Sequence, residues 1–349
     1  MTKNVNVYII HPDHIMSQEK TTITTLAKAT GLSLATVSRA LAGSPSVLPE
    51  TRDKVIEAAR QLNYVRDRAA VRLKTGKTHV IAFIMDRADA TQPGFKDLLL
   101  GLSDAVHGTD YHLIVVPDTG EGDPLGAVRY IVERGLADGL VLSHTAPQDE
   151  RVSYLQEKAY PFITHGRTRL TQPHGFVDFA NEQFAAMGVR ALIERSRQHL
   201  GILLPMQGSV FRTHLAEGFA QSCQNAQVHG ECITAVSLDD DPEAIYQWAI
   251  THAAEFDGLV VTREAPVLPL LSALNDQGMQ VGMDIDLVIK YSSSLPQYIR
   301  QPFMACYEDL HLAGKTMGQS LLAHFSHSGL NSAQVLFPPP QLEFFHMPP

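Results

Sequence analysis

The chain has 349 residues, of which 44% are hydrophobic and 19% are charged, and these proportions predict a globular protein of two or three domains. No run approaches the roughly 18 apolar residues that a membrane helix needs, and residues 5–10 are too short for a secretory signal, so we expect a cytoplasmic protein. Three cysteines without Cys-x-x-Cys spacing offer no disulfide framework.

Charge is unevenly distributed along the sequence. Residues 1–78 hold 12 Lys and Arg against 6 Asp and Glu, a net charge of +6, whereas the remainder holds 16 against 31, a net charge of −15. A small basic segment joined to a large acidic one is typical of a DNA-binding module attached to a domain that does not bind DNA. Residues 1–20 show neither a helical nor a strand period and are interpreted either as a disordered arm that precedes this module or, in part, as sequence upstream of a true start at Met16.

Residues 22–41 predict two short helices separated by a tight turn. The first helix covers residues 24–30, and Gly31 follows it, where a sharp turn favours a residue that tolerates positive φ. Ser33 is a good N-cap for a second helix over residues 34–41. A third helix over residues 50–62 would close a small core around Leu26 and Val37. Helix, glycine turn and helix form the helix-turn-helix arrangement, although an ordinary helical hairpin has the same pattern.

The second helix is poor in large apolar residues and rich in groups that bind DNA. Leu34, Ala35 and Arg39 are expected to face base edges, and the Arg39 guanidinium can bind a guanine through two hydrogen bonds. Hydroxyl groups hold the phosphate backbone in this interpretation, and the residues assigned to it are Thr22, Ser33, Thr36, Ser38, Thr51 and Tyr64.

The same stretch resembles the lactose-repressor (LacI/GalR) family. The resemblance rests on T-x-x-x-L-A-x-x-x-G-L-S-x-A-T-V-S-R-A-L from Thr22, V-x-x-x-T-R-x-x-V from Val47 and L-N-Y from Leu62. It implies that the basic segment at residues 66–77, otherwise a charged linker, is a hinge helix that orders on DNA. In that role Leu73 would wedge into the minor groove and unstack a base step.

From His79 onward, short apolar runs alternate with amphipathic helical segments. Fully apolar short strands between helices predict parallel sheets covered on both faces, and two consecutive sets predict two doubly wound subdomains. This α/β body resembles the type I periplasmic binding proteins. The chain is expected to cross between the subdomains near residue 179, near residues 304–306 and near residue 337.

Small ligands bind such sheets beyond the carboxyl ends of the strands, and here those ends are polar. Many polar groups with an aromatic face suit a hydroxyl-rich ligand such as a sugar, although each group could equally be a solvated loop residue. The residues expected to bind this effector are Asp86, Phe95, His144, His165, Arg167, Arg212, Arg263, Lys290 and Glu308. Their cations also leave open an acidic or phosphorylated ligand.

Enzymatic function is disfavoured by the motifs. There is no glycine-rich phosphate loop, no G-x-S-x-G and no H-E-x-x-H, and Gly76-Lys77-Thr78 lacks the required upstream glycine. His324 and His327 lie three residues apart but have no second cluster to complete a metal site. The acidic run at residues 239–241 is interpreted as a helix cap. We therefore expect no cofactor and no metal.

The sequence as a whole predicts a homodimeric repressor that binds a pseudo-palindromic DNA operator under the control of a sugar-like effector. Alternatives are co-repression by a non-sugar or anionic metabolite, and an enzyme fused to a DNA-binding head. The predicted divisions are an arm (1–20), a helix-turn-helix domain (21–65), a hinge (66–78) and an effector-binding and dimerisation domain (79–349), with subdomains of about 79–178 plus 308–336 and about 180–304 plus 338–349.

Overall fold

A computed structural model describes residues 21–65, 68–86, 93–118, 123–326 and 333–346. The predicted arm, Arg66, Asp67, Arg87 and His327 lie outside these residues. The chain forms two compact units that meet in sequence between Thr78 and His79. In the described residues, no helix is both long enough and apolar enough to cross a membrane.

Within the first unit, three short helices of the described residues form a bundle, called the head. They are α1 (Ile23–Thr30), α2 (Leu34–Leu41) and α3 (Pro49–Gln61). The predicted caps are confirmed: Gly31 has φ 70° after α1, and the Ser33 hydroxyl accepts a hydrogen bond from the Thr36 amide at the start of α2. The core of the head is formed by five buried side chains, Leu26, Val37, Ala40, Val47 and Val55.

A fourth helix, α4 (Arg68–Thr75), follows the head within the basic segment. It ends before Gly76, whose φ of 73° lies in the left-handed region that glycine favours. Leu73 on this helix is 90% exposed, so its side chain contributes little to any core of the described chain.

The second unit, called the body, contains two six-stranded sheets. The first subdomain has strand order β11-β5-β4-β3-β1-β2 with all pairings parallel. Its elements are β1 (Val80–Met85), α5 (Phe95–Val106), β2 (His112–Pro117), α6 (Gly126–Glu133), β3 (Gly139–Leu142), α7 (Glu150–Glu157), β4 (Phe162–His165), β5 (Phe176–Phe179), α12 (Leu310–Ser326) and β11 (Gln334–Phe337).

The second subdomain has strand order β12-β10-β9-β8-β6-β7, in which only the short β12 runs antiparallel. Its elements are α8 (Asn181–Glu194), β6 (His199–Leu203), α9 (Val210–Ala226), β7 (His229–Ile233), α10 (Pro242–His252), β8 (Gly258–Val261), α11 (Val267–Asp276), β9 (Asp286–Tyr291), β10 (Phe303–Tyr307) and β12 (Glu343–Phe345). Two 3-10 turns, Ala253–Glu255 and Leu295–Tyr298, follow α10 and β9.

The chain passes between the subdomains three times, after β5, after β10 and after β11. The middle crossing, expected near residues 304–306, follows Tyr307, because Met304, Ala305 and Cys306 pair with β9 and belong to the second sheet. The next helix, α12, begins at Leu310.

Candidate nucleic-acid interface and ligand cavity

The outer face of α2 is formed by the side chains that were expected to meet base edges. Leu34 is 48% exposed, and Ala35 and Arg39 are also exposed. Val37 and Ala40 on the opposite face are buried in the core of the head. The alternation of buried and exposed positions leaves one side of α2 available to a groove of DNA.

The hydroxyl side chains that were expected to bind phosphates lie on or beside the three helices of the head. Thr22 and Ser33 cap α1 and α2, and the Ser33 and Thr36 hydroxyls lie 2.9 Å apart. Thr51 lies in the first turn of α3, while Ser38 and Tyr64 are partly buried and Tyr64 packs against the core. Thr22 and Ser33 therefore have a structural role as caps, and both remain exposed where a phosphate could approach.

A cavity of about 940 Å³ lies in the body and is lined by residues of both subdomains. Its walls come mainly from loops that follow the carboxyl ends of the strands. Eight of the nine residues expected to bind an effector line it, namely Asp86, Phe95, His144, His165, Arg167, Arg263, Lys290 and Glu308. The topology thus brings together side chains from seven separate segments of the sequence.

Arg212 is the exception and is absent from the lining of the cavity. The sequence predicts a helix that opens at this residue, but α9 begins two residues earlier, at Val210, with Ser209 as its N-cap. In this register the Arg212 guanidinium donates to the carbonyl oxygen of Pro205, and Phe211 lines the cavity instead.

Lys290 is buried, with 5% of its surface exposed, and its ammonium group is held by three kinds of contact. Its Nζ lies 2.7 Å from Glu308 Oε2, 2.9 Å from Asn181 Oδ1 and 4.3 Å from the ring centroid of Phe211. Burial pushes the pKa of Glu308 upward, but the neighbouring Lys290 outweighs it, so that this pKa lies below its ordinary value. Glu308 is therefore ionised near neutral pH and can pair with Lys290.

The other two basic side chains in the wall are also paired with carboxylates. Arg263 forms an ion pair with Asp239. Arg167 forms ion pairs with Asp178 and with Glu182, which is not part of the cavity lining. Consequently none of the three cations enters the cavity as an uncompensated charge.

Carboxylates outnumber Lys and Arg among the described residues of the wall. Three cations, Arg167, Arg263 and Lys290, face seven carboxylates, which are Asp86, Asp178, Asp239, Asp240, Asp241, Glu264 and Glu308. The excess of acceptors disfavours an anionic ligand by Coulomb repulsion and favours one that brings hydrogen-bond donors.

Glu264 contributes most clearly to this excess, since it is only 3% exposed. Burial raises its pKa, and hydrogen bonds from Ser293 and Ser292 counteract only part of that effect. Both backbone amides donate to Glu264 Oε2 over 3.3 Å, and the Ser292 hydroxyl donates to Oε1 over 3.4 Å. These are long hydrogen bonds, and a closer donor from a ligand would improve the solvation of this carboxyl group.

Several lining residues were not assigned to the site from the sequence, among them Asp178, Asn181, Phe211 and Asp239. Asp241 caps α10 as expected, and its side chain accepts from the Ala244 amide. The same acidic run nevertheless supplies Asp239, the partner of Arg263. A polar residue directly after an apolar strand was the available signal, and Asp178 lies inside its strand, where that signal does not apply.

No group of three or more potential metal ligands occurs among the residues that the structure describes. His324 is in the last turn of α12 and contacts the ring of Phe325. Its proposed companion His327 lies outside the described ranges.

Three family models match consecutive parts of the chain. "Bacterial regulatory proteins, lacI family" matches residues 22–67, "Periplasmic binding proteins and sugar binding domain of LacI family" matches residues 78–244, and "Periplasmic binding protein-like domain" matches residues 189–344. These matches coincide with the head and with the two-sheet body described above.

Known relatives extend over most of the chain. The HTH-type transcriptional regulator AglR of Rhizobium meliloti (strain 1021) is 27% identical over 326 residues, which are 89% of this chain and 90% of that protein. The HTH-type transcriptional regulator RafR of Escherichia coli is 29% identical over 201 residues, 54% of this chain and 60% of that protein.

Solved structures share the fold. The lac repressor dimer bound to operator and the anti-inducer ONPF aligns with a TM-score of 0.79 at 20% identity, covering 95% of this chain and 100% of that one. The complex of the transcriptional regulator CelR with cellobiose aligns with a TM-score of 0.66 at 19% identity, covering 93% and 98%. From the matched head, the matched body and these relatives, we conclude that the chain belongs to the lacI family of bacterial regulatory proteins and is a DNA-binding transcriptional regulator.

Proposed function

We propose that this regulator is a repressor whose affinity for its operator is controlled by a neutral, hydroxyl-rich small molecule, a sugar or sugar derivative, bound in the cavity of the body. The observation that carries the proposal is the composition of the described cavity wall, in which each described Lys and Arg is paired and carboxylates are in excess. Sugar hydroxyls donate to carboxylates, and the rings of Phe95 and Phe211 offer apolar faces for the sugar ring.

The names of related structures agree with this ligand class. One structural neighbour is a complex with cellobiose, and a LacI family regulator from Enterococcus faecium carries bound ribose. The paired cations argue against the alternative of an anionic metabolite. The groups in the wall would act as binding groups rather than as catalysts, so the proposal includes no enzymatic activity.

On the DNA side, we assign base contacts to Leu34, Ala35 and Arg39 and insertion into the minor groove to Leu73. One head covers a half-site, and a two-fold operator therefore requires a homodimer. In the proposed mechanism the effector changes the relative orientation of the subdomains and thereby shifts the fraction of dimers that can hold both hinge helices on the operator. A repressor of this type acts in the cytoplasm, where bacterial DNA lies.

Calorimetric titration of the purified protein with paired sugars tests the ligand class. The panel contains neutral mono- and disaccharides, each with its uronic acid or phosphorylated counterpart. We expect a neutral sugar to bind and its anionic counterpart to bind at least about ten-fold more weakly, which corresponds to roughly 1.4 kcal/mol. Tighter binding of the anionic form would instead support an acidic metabolite as the effector.

A variant pair localises the binding to the cavity. Asp86→Asn removes a charged acceptor from the wall and is expected to weaken binding of the neutral sugar by roughly ten-fold or more, because a hydrogen bond to a charged group contributes about 1.5–3 kcal/mol. Asp104→Asn, an equal change on the exposed surface of α5, serves as the matched control. Equal affinities in both variants would place the ligand elsewhere.

A further inference from the structure

Arg167 is a basic residue of the cavity wall whose contacts connect the two subdomains. Its Nε donates to Asp178 on β5 over 2.7 Å within the first subdomain. Its two terminal nitrogens donate to both carboxylate oxygens of Glu182 on α8, over 3.1 and 2.8 Å, and Glu182 belongs to the second subdomain. Nη2 also lies 3.0 Å from His214 Nδ1 on α9 of that same subdomain.

These contacts nearly exhaust the donors of the guanidinium group. Of five N–H groups, one is directed at Asp178, two at Glu182 and one at His214, which leaves a single N–H on Nη1 for anything else. Binding a sugar through more than this one N–H would require breaking charge-assisted hydrogen bonds.

From this geometry we infer that Arg167 is a positioning residue that holds the two walls of the cavity together, and not a contact to the effector. The inference rests on the proposed function only in treating the cavity as an effector site. Closing the cavity in this way gives it a defined shape before a ligand arrives, and an effector that alters the cleft has to act against these hydrogen bonds.

His214 makes this connection sensitive to protonation. Arginine cannot accept a hydrogen bond, so Nδ1 of His214 must be unprotonated to accept from Arg167, and the ring must be neutral. Burial, and then the charge of Arg167, lower the pKa of His214, whereas the carboxylates that face it, Asp178, Glu182 and Glu217, partly oppose this. In a separated cleft the imidazole would regain its ordinary pKa of about 6.5. The closed form is therefore favoured above that pH and loses stability as the pH falls below it.

One backbone amide reports directly on whether the cleft is closed. Val210 is the first residue of α9, where an N–H has no partner within the helix, and it donates instead over 2.9 Å to the carbonyl oxygen of Thr145 in the first subdomain. Separation of the subdomains would leave this amide without its protein partner, so that its exchange with deuterated solvent would accelerate.

The test is hydrogen–deuterium exchange at Val210 in the full chain, without DNA or sugar. Arg167→Gln is expected to lower the protection factor of this amide by roughly ten-fold or more, since the charge-assisted hydrogen bonds to Glu182 and His214 across the cleft are lost. Arg169→Gln is the matched control, because Arg169 pairs with Glu217 across the same cleft but both side chains are about half exposed, where an ion pair contributes little. The Val189 amide, inside α8, serves as an internal reference for global stability.

Measurements at several pH values distinguish the positioning role of Arg167 from a general loss of protein stability in the variant. The wild-type protection factor at Val210 is expected to fall between pH 7.5 and 5.5, after correction for intrinsic exchange. In His214→Gln, whose side-chain oxygen can still accept from Arg167, protection is expected to persist at both pH values. An unchanged protection factor in Arg167→Gln, or a pH dependence that survives in His214→Gln, would overturn the inference. Because no ligand is added, a failure of the sugar proposal would not affect either result.

Discussion

Arg39 is exposed in the last turn of α2, and its partners in the bound state are expected to be a base edge rather than another protein residue. Arg39→Ala should therefore cost about 1–3 kcal/mol on the specific operator and much less on random DNA. Fluorescence anisotropy at one salt concentration measures both affinities. The matched control is Arg60→Ala, since Arg60 is exposed on α3 and pairs with Glu57. Equal losses on both DNAs would mean that Arg39 contacts phosphate only.

The sequence predicted which residues lie at the cavity, but it did not predict which ion pairs their side chains form. Strand ends identify Arg167, Arg263 and Lys290 as residues near the ligand, because parallel strands direct their carboxyl ends to one edge. Their ion pairs could not be predicted, since the partners come from other segments: Lys290 bonds to Asn181, which is 109 residues away. The alternative of an acidic or phosphorylated ligand was left open because the cations were counted without their partners.

The close contact between α5 and α12 depends on two glycines. Gly101 of α5 lies against the backbone of α12, and Gly314 of α12 lies against the backbone of α5. A Cβ added to Gly101 would overlap the carbonyl oxygen of His311, and one added to Gly314 would overlap the carbonyl oxygen of Leu98. Backbone atoms cannot move aside as a flexible side chain can. The two helices therefore approach more closely than any larger residue at these positions would allow.

Gly101→Ala is accordingly expected to destabilise the body despite the better helix propensity of alanine. Overpacking costs about 1–3 kcal/mol, whereas the gain in propensity is about 1 kcal/mol, so the steric effect should dominate. Urea denaturation measures the difference. Ser103→Ala, on the exposed side of the same helix, should leave stability unchanged or slightly raised. A Gly101→Ala variant as stable as this control would show that the helices can separate freely.

Leu73 on α4 allows stability and DNA binding to be distinguished. Because its side chain is 90% exposed, Leu73→Ala should not change the melting temperature of the free protein. Loss of an inserted wedge should weaken operator binding by roughly ten-fold or more and reduce DNA bending. Ile56→Ala on α3, another exposed apolar truncation in the same unit, is the control. Normal bending and affinity in Leu73→Ala would contradict the proposed insertion.

Element boundaries were predicted well where a cap marks them and poorly at sheet edges. The bounds of α2 agree with the prediction because Ser33 caps its start and Gly31 fixes the preceding turn. The edge strand β11, Gln334–Phe337, was missed, since its residues alternate between exposed and half-buried and form no apolar run.

At the scale of the whole molecule, the boundary between the basic and the acidic parts of the sequence coincides with the boundary between the two structural units, after Thr78. The basic residues 1–78 include the head and α4, and the acidic remainder forms the body, which DNA would repel. The α/β rhythm predicted two sheets with three crossings, and the order of the two sheets, parallel except at the short β12, confirms the doubly wound class. The effector could not be identified from the sequence, because its recognition depends on side chains that only the fold brings together.

The most direct test of the account is the affinity of the full-length protein for the promoter region beside its own gene, measured by fluorescence anisotropy with and without each sugar of the panel. Salt must be held constant, because phosphate contacts dominate absolute affinity. We expect the protein to bind this DNA specifically, and one neutral sugar to weaken that binding by about ten-fold or more, a coupling of roughly 1.4 kcal/mol. Absence of specific binding, or binding that every sugar in the panel leaves unchanged, would contradict it.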